Sequence, residues 1–256
     1  MRVNVSYLSH YGKIRRNNED SLLVHDEIFS EVNMEAPGIK SLESDRLLLA
    51  VADGMGGESK GELASRTVLE VLRENLSLFN HRRYFSKLLS HAKNQLNQIV
   101  KKDKGSLGLG TTLSGLYLLE NRGIVFSCGD SRVYRINNSS IEKLTTDHSL
   151  VQGLYDSGYI REEEMRTHPQ KNIITSAISG DMTNTKPLVF YEEIMIQKGS
   201  KFLICTDGLW ESMSSIEMYE CITRENMIDK VLSLKDISLK NSGRDNISIV
   251  YLEVVE

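Results

Sequence analysis

Short continuous runs of apolar residues recur along this chain, each bounded by turn-forming residues. Such runs predict buried β-strands, because a strand covered on both faces has no need for alternating polar positions. The clearest runs occupy residues 47–52, 124–128, 202–206 and 247–252, and weaker strand candidates lie at 111–119, 131–136 and 187–196.

Two other segments repeat apolar residues every three or four positions, which is the period of an amphipathic helix. The first begins near Gly61, and the order of strands, a helix pair and more strands predicts an α+β fold with antiparallel sheets. A helical stripe can serve as a partner groove, but a core-facing surface is the favoured interpretation. The two stripes are Leu63, Thr67, Val68, Val71, Leu72 and Leu76, and then Phe85, Leu88, Leu89, Ala92, Leu96 and Ile99.

The chain shows no sign of division into domains. It has only three prolines and no low-complexity linker or internal repeat, so we expect a single domain over residues 1–256. The irregular stretch 30–44 contains Pro37 and Gly38 between two apolar runs and is predicted to be a long loop. It could bind a partner, but a simple insertion is the favoured interpretation.

Composition narrows the class of protein. Hydrophobic residues make up 40% of the chain, charged residues 26%, and the net charge is −4, without a basic stripe for nucleic acid. The cysteines, Cys128, Cys205 and Cys221, form neither a disulfide framework nor a zinc motif. Residues 1–5 lack the apolar stretch of a secretion signal, and no run could span a bilayer. We expect a cytoplasmic monomer that binds neither nucleic acid nor membrane.

Aspartates mark the ends of the predicted strands. Asp53, Asp130 and Asp207 each follow an apolar run, and Asp245 precedes another. A single Asp-Gly pair is usually only a turn, but four aspartates on buried strands can converge at one rim of a sheet. Clustered carboxylates remain ionised together only if cations neutralise them. Oxygen ligands without histidine or cysteine favour Mg²⁺ or Mn²⁺.

Two glycine-rich segments lie near these aspartates. Gly54, Gly56 and Gly57 would allow the backbone to approach a ligand closely. Residues 105–110 follow a predicted helix rather than a strand and lack the Gly-Lys-Ser/Thr ending of a phosphate-binding loop. The second segment is therefore interpreted as a helix stop and strand entry, not as a nucleotide site.

Several segments, taken in order, resemble the motifs of the metal-dependent (type 2C) serine/threonine protein phosphatases in their bacterial form. The resemblance spans nearly the whole chain. It implies a four-layer αββα sandwich, with two antiparallel sheets flanked by helices and metal ions at one rim. The matching segments are GKIRRNNED (12–20), DGMGG (53–57) with GELAS (61–65), GTT (110–112), GDSR (129–132), DGLW (207–210), DN (245–246) and the stretch from 147 to 175.

The resemblance also implies a set of metal ligands. Asp53 would bridge two cations, Mn²⁺ or Mg²⁺, and the carbonyl of Gly54 would bind one of them. Asp207 and Asp245 would bind the other. Together with Arg15, these three aspartates form the expected catalytic set.

Further positions carry supporting roles by the same resemblance. Glu19 and Asp20 would act through metal-bound waters. Asp130, together with Asp207, matches a weaker third-cation site. Arg15 occupies the position that binds the substrate phosphate, where its planar fork could hold two oxygens.

The expected reaction is hydrolysis of phosphoserine and phosphothreonine in proteins by a metal-activated water, opposing a serine/threonine kinase and acting on its targets. Two alternatives stay open. The same fold could act on an anti-anti-sigma-type regulatory phosphoprotein or a small phosphoester. It could also be a pseudophosphatase that only binds partners, which the intact acidic set disfavours.

Two departures from the resemblance affect the site. Met55 stands where many eukaryotic relatives have a histidine proposed as general acid, so the leaving group would take its proton from water. His148 could replace that acid, although a flap anchor is the favoured role. Ser176 replaces an arginine common in relatives. Residues 149–171 are predicted to be a mobile helical flap beside the metals that contacts substrate, or merely a solvated hairpin.

Overall fold

The computed structural model describes residues 1–56, 60–224 and 226–256. Its strands are β1 Arg2–His10, β2 Ser21–Val24, β3 Glu27–Ser30, β4 Gly38–Glu43, β5 Arg46–Ala52, β6 Gly54–Met55, β7 Gly110–Thr111, β8 Leu113–Leu119, β9 Arg122–Cys128, β10 Arg132–Ile136, β11 Ile141–Lys143, β12 Ile178–Ser179, β13 Phe190–Met195, β14 Lys201–Cys205 and β15 Ile247–Val254. Its α-helices are α1 Gly61–Glu74, α2 Arg82–Lys102, α3 Leu150–Asp156, α4 Glu162–Met165, α5 Asp207–Trp210, α6 Ser215–Ile222 and α7 Met227–Asn241.

Two six-stranded antiparallel sheets form the centre of the fold. The first has the strand order β11-β10-β14-β15-β1-β4, and the second has the order β13-β9-β8-β5-β2-β3. A small third sheet, β12-β7-β6, lies beside them. The α+β class with two antiparallel sheets, predicted from the order of elements and from the family resemblance, is confirmed.

Strand β5 shows how the layers arise from the sequence. Its residues are apolar without interruption, and successive side chains point to opposite faces of a strand. Leu47, Leu49 and Val51 pack between the two large sheets. Leu48 and Ala50 pack instead against α1 and α2. A third cluster lies between the other face of the first sheet and helices α5 to α7, which completes the αββα order.

The predicted helix stripes are confirmed for α2 and only partly for α1. Phe85, Leu88 and Leu96 of α2 are buried as expected. In α1, however, Leu63 is 40% exposed, and Ala64 takes the core-facing position next to it. In the rest of the stripe, Val68, Val71 and Leu72 are buried as predicted, Thr67 is half-buried, and Leu76 lies beyond the end of the helix at Glu74.

The prediction of a loop over residues 30–44 is wrong for residues 38–43. These residues form β4, which pairs with β1 along the edge of the first sheet, for example Val5 with Lys40. Alternate side chains of β4 are exposed, and Leu42 packs on the central core. Pro37 and Gly38, which suggested a loop, lie where this strand begins, and its alternation of exposed and half-buried residues is the pattern of a half-solvated edge strand.

The other strand predictions are confirmed, with 111–119 divided at Thr112 between β7 and β8. The hydrophobic pattern does not predict β1, β2, α6 or α7. The two short helices expected within residues 149–171 are present as α3 and α4, separated by Gly158 at a φ of 73°, and the mobility and substrate contact of this flap stay predictions. In the described part of the chain, no helix is both long and apolar enough to cross a membrane.

Candidate metal centre

Carboxylates from both large sheets meet at one end of the sandwich. In the second sheet, Asp20 immediately precedes β2 and Asp53 immediately follows β5, and these antiparallel strands pair Ser21 with Ala52. In the first sheet, Asp207 follows β14 and Asp245 precedes β15. The start of one strand and the end of its antiparallel neighbour fall at the same edge, so all four side chains lie at one rim.

Burial and mutual repulsion act together on these acids. Burial raises the pKa of Asp53 well above its usual value, and the charges of Asp207, Asp20, Asp130 and Asp245 raise it further. Burial also raises the pKa of Asp20 to about 8 and that of Asp207 to about 6. Each carboxylate therefore resists ionisation while its neighbours are charged, as expected of groups that share one small volume.

Several oxygens of this group lack a partner. The Oδ1 atoms of Asp20, Asp130 and Asp207 are buried and accept no hydrogen bond from the described residues. Buried acceptors are nearly always satisfied, and an unpaired buried carboxylate oxygen is costly. Divalent cations would satisfy these oxygens and offset the repulsion, so the residues present fit a metal centre.

The carboxylates at the rim lie near one another but do not form a tight cluster. Among residues 1–56, 60–224 and 226–256, no three acidic, histidine or cysteine side chains converge as closely as a preformed metal site requires. The effect of the acids on one another's pKa shows that they share the rim. Binding of common cations would therefore require these side chains to rearrange.

Glycine is required at two positions behind the rim. A Cβ on Gly54 would lie 2.3 Å from the carbonyl oxygen of Gly61 and 2.4 Å from that of Glu19. A Cβ on Gly61 would lie 2.9 Å from the backbone carbonyl carbon of Gly54 and 2.8 Å from the carboxyl carbon of Glu19. These contacts hold the chain after Asp53 directly against the Glu19 loop. Gly57, the last glycine of the predicted turn, lies outside the described residues.

Asn246 fixes the loop that carries Glu19 and Arg15. Its side-chain amide donates hydrogen bonds to the carbonyl oxygens of Tyr11 (3.1 Å) and Asn17 (3.0 Å), and its Oδ1 accepts one from the Glu19 amide (2.9 Å). The sequence showed Asn246 only as part of a motif. Its position directly after Asp245, at the start of a buried strand, was the available signal for a positioning role.

Thr206 is a second residue whose role the sequence did not reveal. Its hydroxyl donates to Asp20 Oδ2 (2.9 Å) and accepts a hydrogen bond from the Ser248 amide (3.0 Å). Asp20, from the second sheet, is thereby tied to the ends of β14 and β15 in the first. A buried threonine at the end of an apolar strand was the only trace of this in the sequence.

Arg15 lies at the same rim. Its Nη2 donates to Asp245 Oδ2 at 2.8 Å, and half of its side chain remains exposed. The other oxygen of Asp245, Oδ1, accepts from the Asn246 amide at 2.9 Å. The residue expected to bind phosphate and a residue expected to bind metal are therefore in direct contact.

Asp130 is buried at the turn between β9 and β10. Gly129 has a φ of 104°, and the Trp210 indole donates to the Asp130 carbonyl at 3.0 Å. Burial raises the pKa of the Asp130 carboxyl well above its usual value, and the charge of Asp207 adds to this. The guanidinium carbon of Arg132 lies 3.4 Å from the centroid of the Trp210 ring, and this stacking closes one side of the turn.

His148 joins the flap to this turn. Its Nδ1 accepts a hydrogen bond from the Gly129 amide (3.0 Å), and its own amide donates to the Gly129 carbonyl (2.8 Å). Burial lowers the pKa of His148, which suits a neutral ring that accepts at Nδ1. These contacts favour the anchor role over that of a general acid. Ser176 Oγ, for its part, accepts from the Leu188 amide at 2.8 Å and so fixes the chain beyond the flap.

The flap itself is attached near Asp207. Arg166 donates to the carbonyl of Met213 at 2.9 Å, and Lys171 forms an ion pair with Glu211 at 2.8 Å. Both partners belong to the segment that follows α5. The flap therefore borders the rim through contacts that solvent can compete for.

Buried carboxylates at the rim of an αββα sandwich, beside an exposed arginine, are typical of a metal-dependent hydrolase that acts on phosphate esters. The chain belongs to the family described as Protein phosphatase 2C, whose sequence profile matches residues 35–231. It is thus a metal-dependent serine/threonine protein phosphatase, as the resemblance in the sequence implied.

Individual relatives agree with this membership. The chain is 30% identical to protein phosphatase PhpP of Streptococcus pneumoniae, over 99% of this chain and 98% of the relative. It superimposes on the Mycobacterium tuberculosis serine/threonine phosphatase PstP/Ppp with a TM-score of 0.82 at 26% identity, covering 100% of both chains. A structure of the PstP catalytic domain in complex with two manganese ions matches with a TM-score of 0.79 at 25% identity, again over 100% of both chains.

Proposed function

We propose that this chain hydrolyses phosphoserine and phosphothreonine in proteins at a centre of two divalent cations, Mn²⁺ or Mg²⁺. It acts in the cytoplasm as a monomer, where it removes the phosphate that a serine/threonine kinase has added to its target proteins. The observation that carries the proposal is the set of buried, unpaired oxygens of Asp20, Asp130 and Asp207 at one rim. The two manganese ions in the PstP catalytic domain support the number and kind of cation.

Four groups hold the two cations. Asp53 would bridge them, because it lies among the other rim aspartates, whose charges raise its pKa. The Gly54 carbonyl would bind one cation, and Asp207 with Asp245 would bind the other. The crowding behind Gly54 supports this assignment, since it fixes the backbone next to Asp53.

Three further acids complete the centre. Glu19 and Asp20 would act through waters of the cations, and the hydrogen bond from Thr206 keeps Asp20 in place. Asp130, with Asp207, would bind a third and weaker cation, for which its unpaired Oδ1 is available. A site with so few protein ligands leaves the cation most of its waters.

Arg15 binds the substrate phosphate. It contacts Asp245 through Nη2, and its remaining donors and half-exposed position leave it free to hold phosphoryl oxygens in a bidentate fork. Bound cations lower the pKa of a water and neutralise phosphoryl charge. Met55 offers no proton, so the side-chain oxygen that leaves phosphorus takes its proton from water and becomes the serine or threonine hydroxyl. The flap, attached through Arg166 and Lys171, contacts the phosphoprotein beyond the phosphate.

The proposal is tested by calorimetric Mn²⁺ titration together with phosphopeptide hydrolysis. We expect two tight sites per chain and phosphate release that chelation abolishes and Mn²⁺ restores. Binding of no Mn²⁺, or hydrolysis that is insensitive to chelation, would overturn it. A cysteine-based mechanism is not expected, because Cys205 is buried and its thiol pKa is raised by burial.

A further inference from the structure

An open cleft adjoins the rim on the side of Asp207 and Asp245. The cleft is lined by residues of the segment from Asp207 to Ser212 and of the turn that leads from α7 into β15. Lys171, the last residue of the flap, and the adjacent Asn172 also line it. A peptide whose phosphate reaches the metal centre would extend into this cleft.

The backbone of Arg244, in the turn before β15, is held firmly against the Arg15 loop. Gly243 has a φ of 62°, and its carbonyl accepts a hydrogen bond from the Lys13 amide at 2.7 Å. On the other side, a Cβ on Gly12 would lie only 2.3 Å from the carbonyl oxygen of Asp245. These close approaches fix the point from which the Arg244 side chain leaves the backbone.

The charges in the cleft balance except at Arg244. Lys171 is paired with Glu211 at 2.8 Å, and Asp245 is paired with Arg15 at 2.8 Å. Asp207 faces the metal centre. Arg244 is exposed, and its guanidinium has no partner among the residues that the structure describes. A fixed backbone with an unpaired cationic side chain, next to a rim residue, suits recognition of an anion.

We propose that Arg244 selects substrates with an acidic residue within two positions of the phosphorylated residue; the inference rests on the proposed function. An extended peptide advances about 3.3 Å per residue, so a carboxylate one or two residues from the phosphate enters the cleft that Arg244 lines. The guanidinium can then bind that carboxylate in a bidentate fork. Arg244 determines specificity and leaves the chemistry to the metal centre.

The test uses matched phosphoserine peptides that carry Glu, Ala or Lys at each of the two positions on either side of the phosphoserine. The readout is the ratio of kcat/KM for the Glu and Ala peptides within each protein, so that any general loss of activity cancels. For wild type we expect a preference of roughly three- to tenfold for Glu at one or more positions. Arg244→Ala should remove the preference, and Arg244→Glu should transfer it to the Lys peptide.

Arg83→Glu is the matched control, because Arg83 is exposed on α2 and the substitution makes the same change in net charge. It should keep the wild-type preference. If wild type hydrolyses the peptides without preferring Glu, or if Arg244→Ala keeps the preference, this inference alone is overturned. A wild type that hydrolyses none of the peptides with Mn²⁺ would overturn the proposed function and this inference with it.

Discussion

At the scale of single residues, the centre depends on carboxylates that are stable together only when something neutralises them. Asp53 occupies the middle of the group, where burial and four neighbouring carboxylates all raise its pKa. Thr112 donates to its backbone carbonyl at 2.9 Å, so the main chain is held independently of the carboxyl group. Changing the charge of Asp53 should therefore affect metal binding far more than folding.

Asp53→Asn should abolish turnover and weaken Mn²⁺ binding while the fold stays intact. The amide cannot bridge two cations, and the variant also relieves repulsion at the rim, so the metal-free protein should be at least as stable as wild type. Steady-state kinetics at saturating Mn²⁺, calorimetry and circular dichroism measure the three effects. Asp26→Asn, on an exposed turn, is the control. Wild-type turnover in Asp53→Asn would refute the bridging assignment.

Arg15→Ala should raise KM for phosphopeptides by about 10- to 100-fold, the loss expected for a charge-assisted hydrogen bond of ~1.5–3 kcal/mol. Mn²⁺ affinity should be kept, because the substitution removes no oxygen ligand. Kinetics and Mn²⁺ calorimetry on the same preparation separate the two effects. Arg16→Ala, the adjacent exposed arginine, should retain the wild-type KM. A collapse of metal affinity with unchanged KM would show that Arg15 is misplaced in the proposal.

Asp130→Ala should leave the two tight cations in place and lower activity, most severely on phosphoprotein substrates. The Trp210 indole contacts the carbonyl of Asp130 rather than its carboxyl, so that contact survives the substitution. Turnover across a Mn²⁺ series, with metal occupancy in crystals grown in excess Mn²⁺, measures the effect. If the variant matches wild type at every concentration, Asp130 is only a turn residue.

At the scale of elements, most of the fold followed from local pattern. Continuous apolar runs identified β5, β9, β14 and β15, because central strands in this sandwich are covered on both faces. The hydrophobic pattern failed to predict elements that are buried on one side only or that pair with strands distant in the sequence. β4 shows the polar alternation of an edge strand, and α7 buries Lys230 and Lys235 among its core-facing residues, which weakens its apolar stripe.

The residues of the site likewise divide into those that the sequence pattern predicts and those that it does not. Aspartates at strand ends could be found from the sequence because strand order limits where they converge. The contacts that position them could not be found, since Asn246 and Thr206 act on residues 227 and 186 positions away in the chain. Nor did the sequence show that Arg15 touches Asp245. Long-range register decides such contacts, and no local pattern encodes it.

The packing of β9 against the helix layer allows a prediction about the stability of the fold. Phe126 lies against Phe79 and Phe85, with ring centroids 5.3 and 4.9 Å apart. Phe126→Ala should lower the free energy of unfolding by about 3–5 kcal/mol, through lost burial and the cavity left behind. Urea denaturation measures the loss, and Tyr84→Ala, at an exposed position of α2, should cost far less. Equal losses in the two variants would contradict the assigned core.

At the scale of the whole molecule, the rim carboxylates should make stability depend on pH and on metal. Burial raises the pKa of Asp20 to about 8 in the folded protein, while an aspartate in the unfolded chain titrates near 4. Between these values the folded state binds more protons than the unfolded state, so stability falls as pH rises. The histidines with pKa values lowered by burial, His10 and His148, act in the opposite direction, but only below about pH 6.5.

The metal-free protein should therefore lose thermal stability between pH 6.5 and 8, in the range where Asp20 ionises in the folded state. About 1 kcal/mol corresponds to a shift of ~2–4 °C in Tm for a chain of this size, so the loss is measurable by calorimetry in the presence of a chelator. Mn²⁺ binds the ionised carboxylates, so it should raise Tm more at pH 8 than at pH 6.5 and reverse the trend. Asp26→Asn should show the wild-type profile, whereas Asp20→Asn should flatten the metal-free one. A metal-free protein whose Tm rises between pH 6.5 and 8 would contradict the raised pKa of Asp20, because the sign of the slope follows from proton uptake alone.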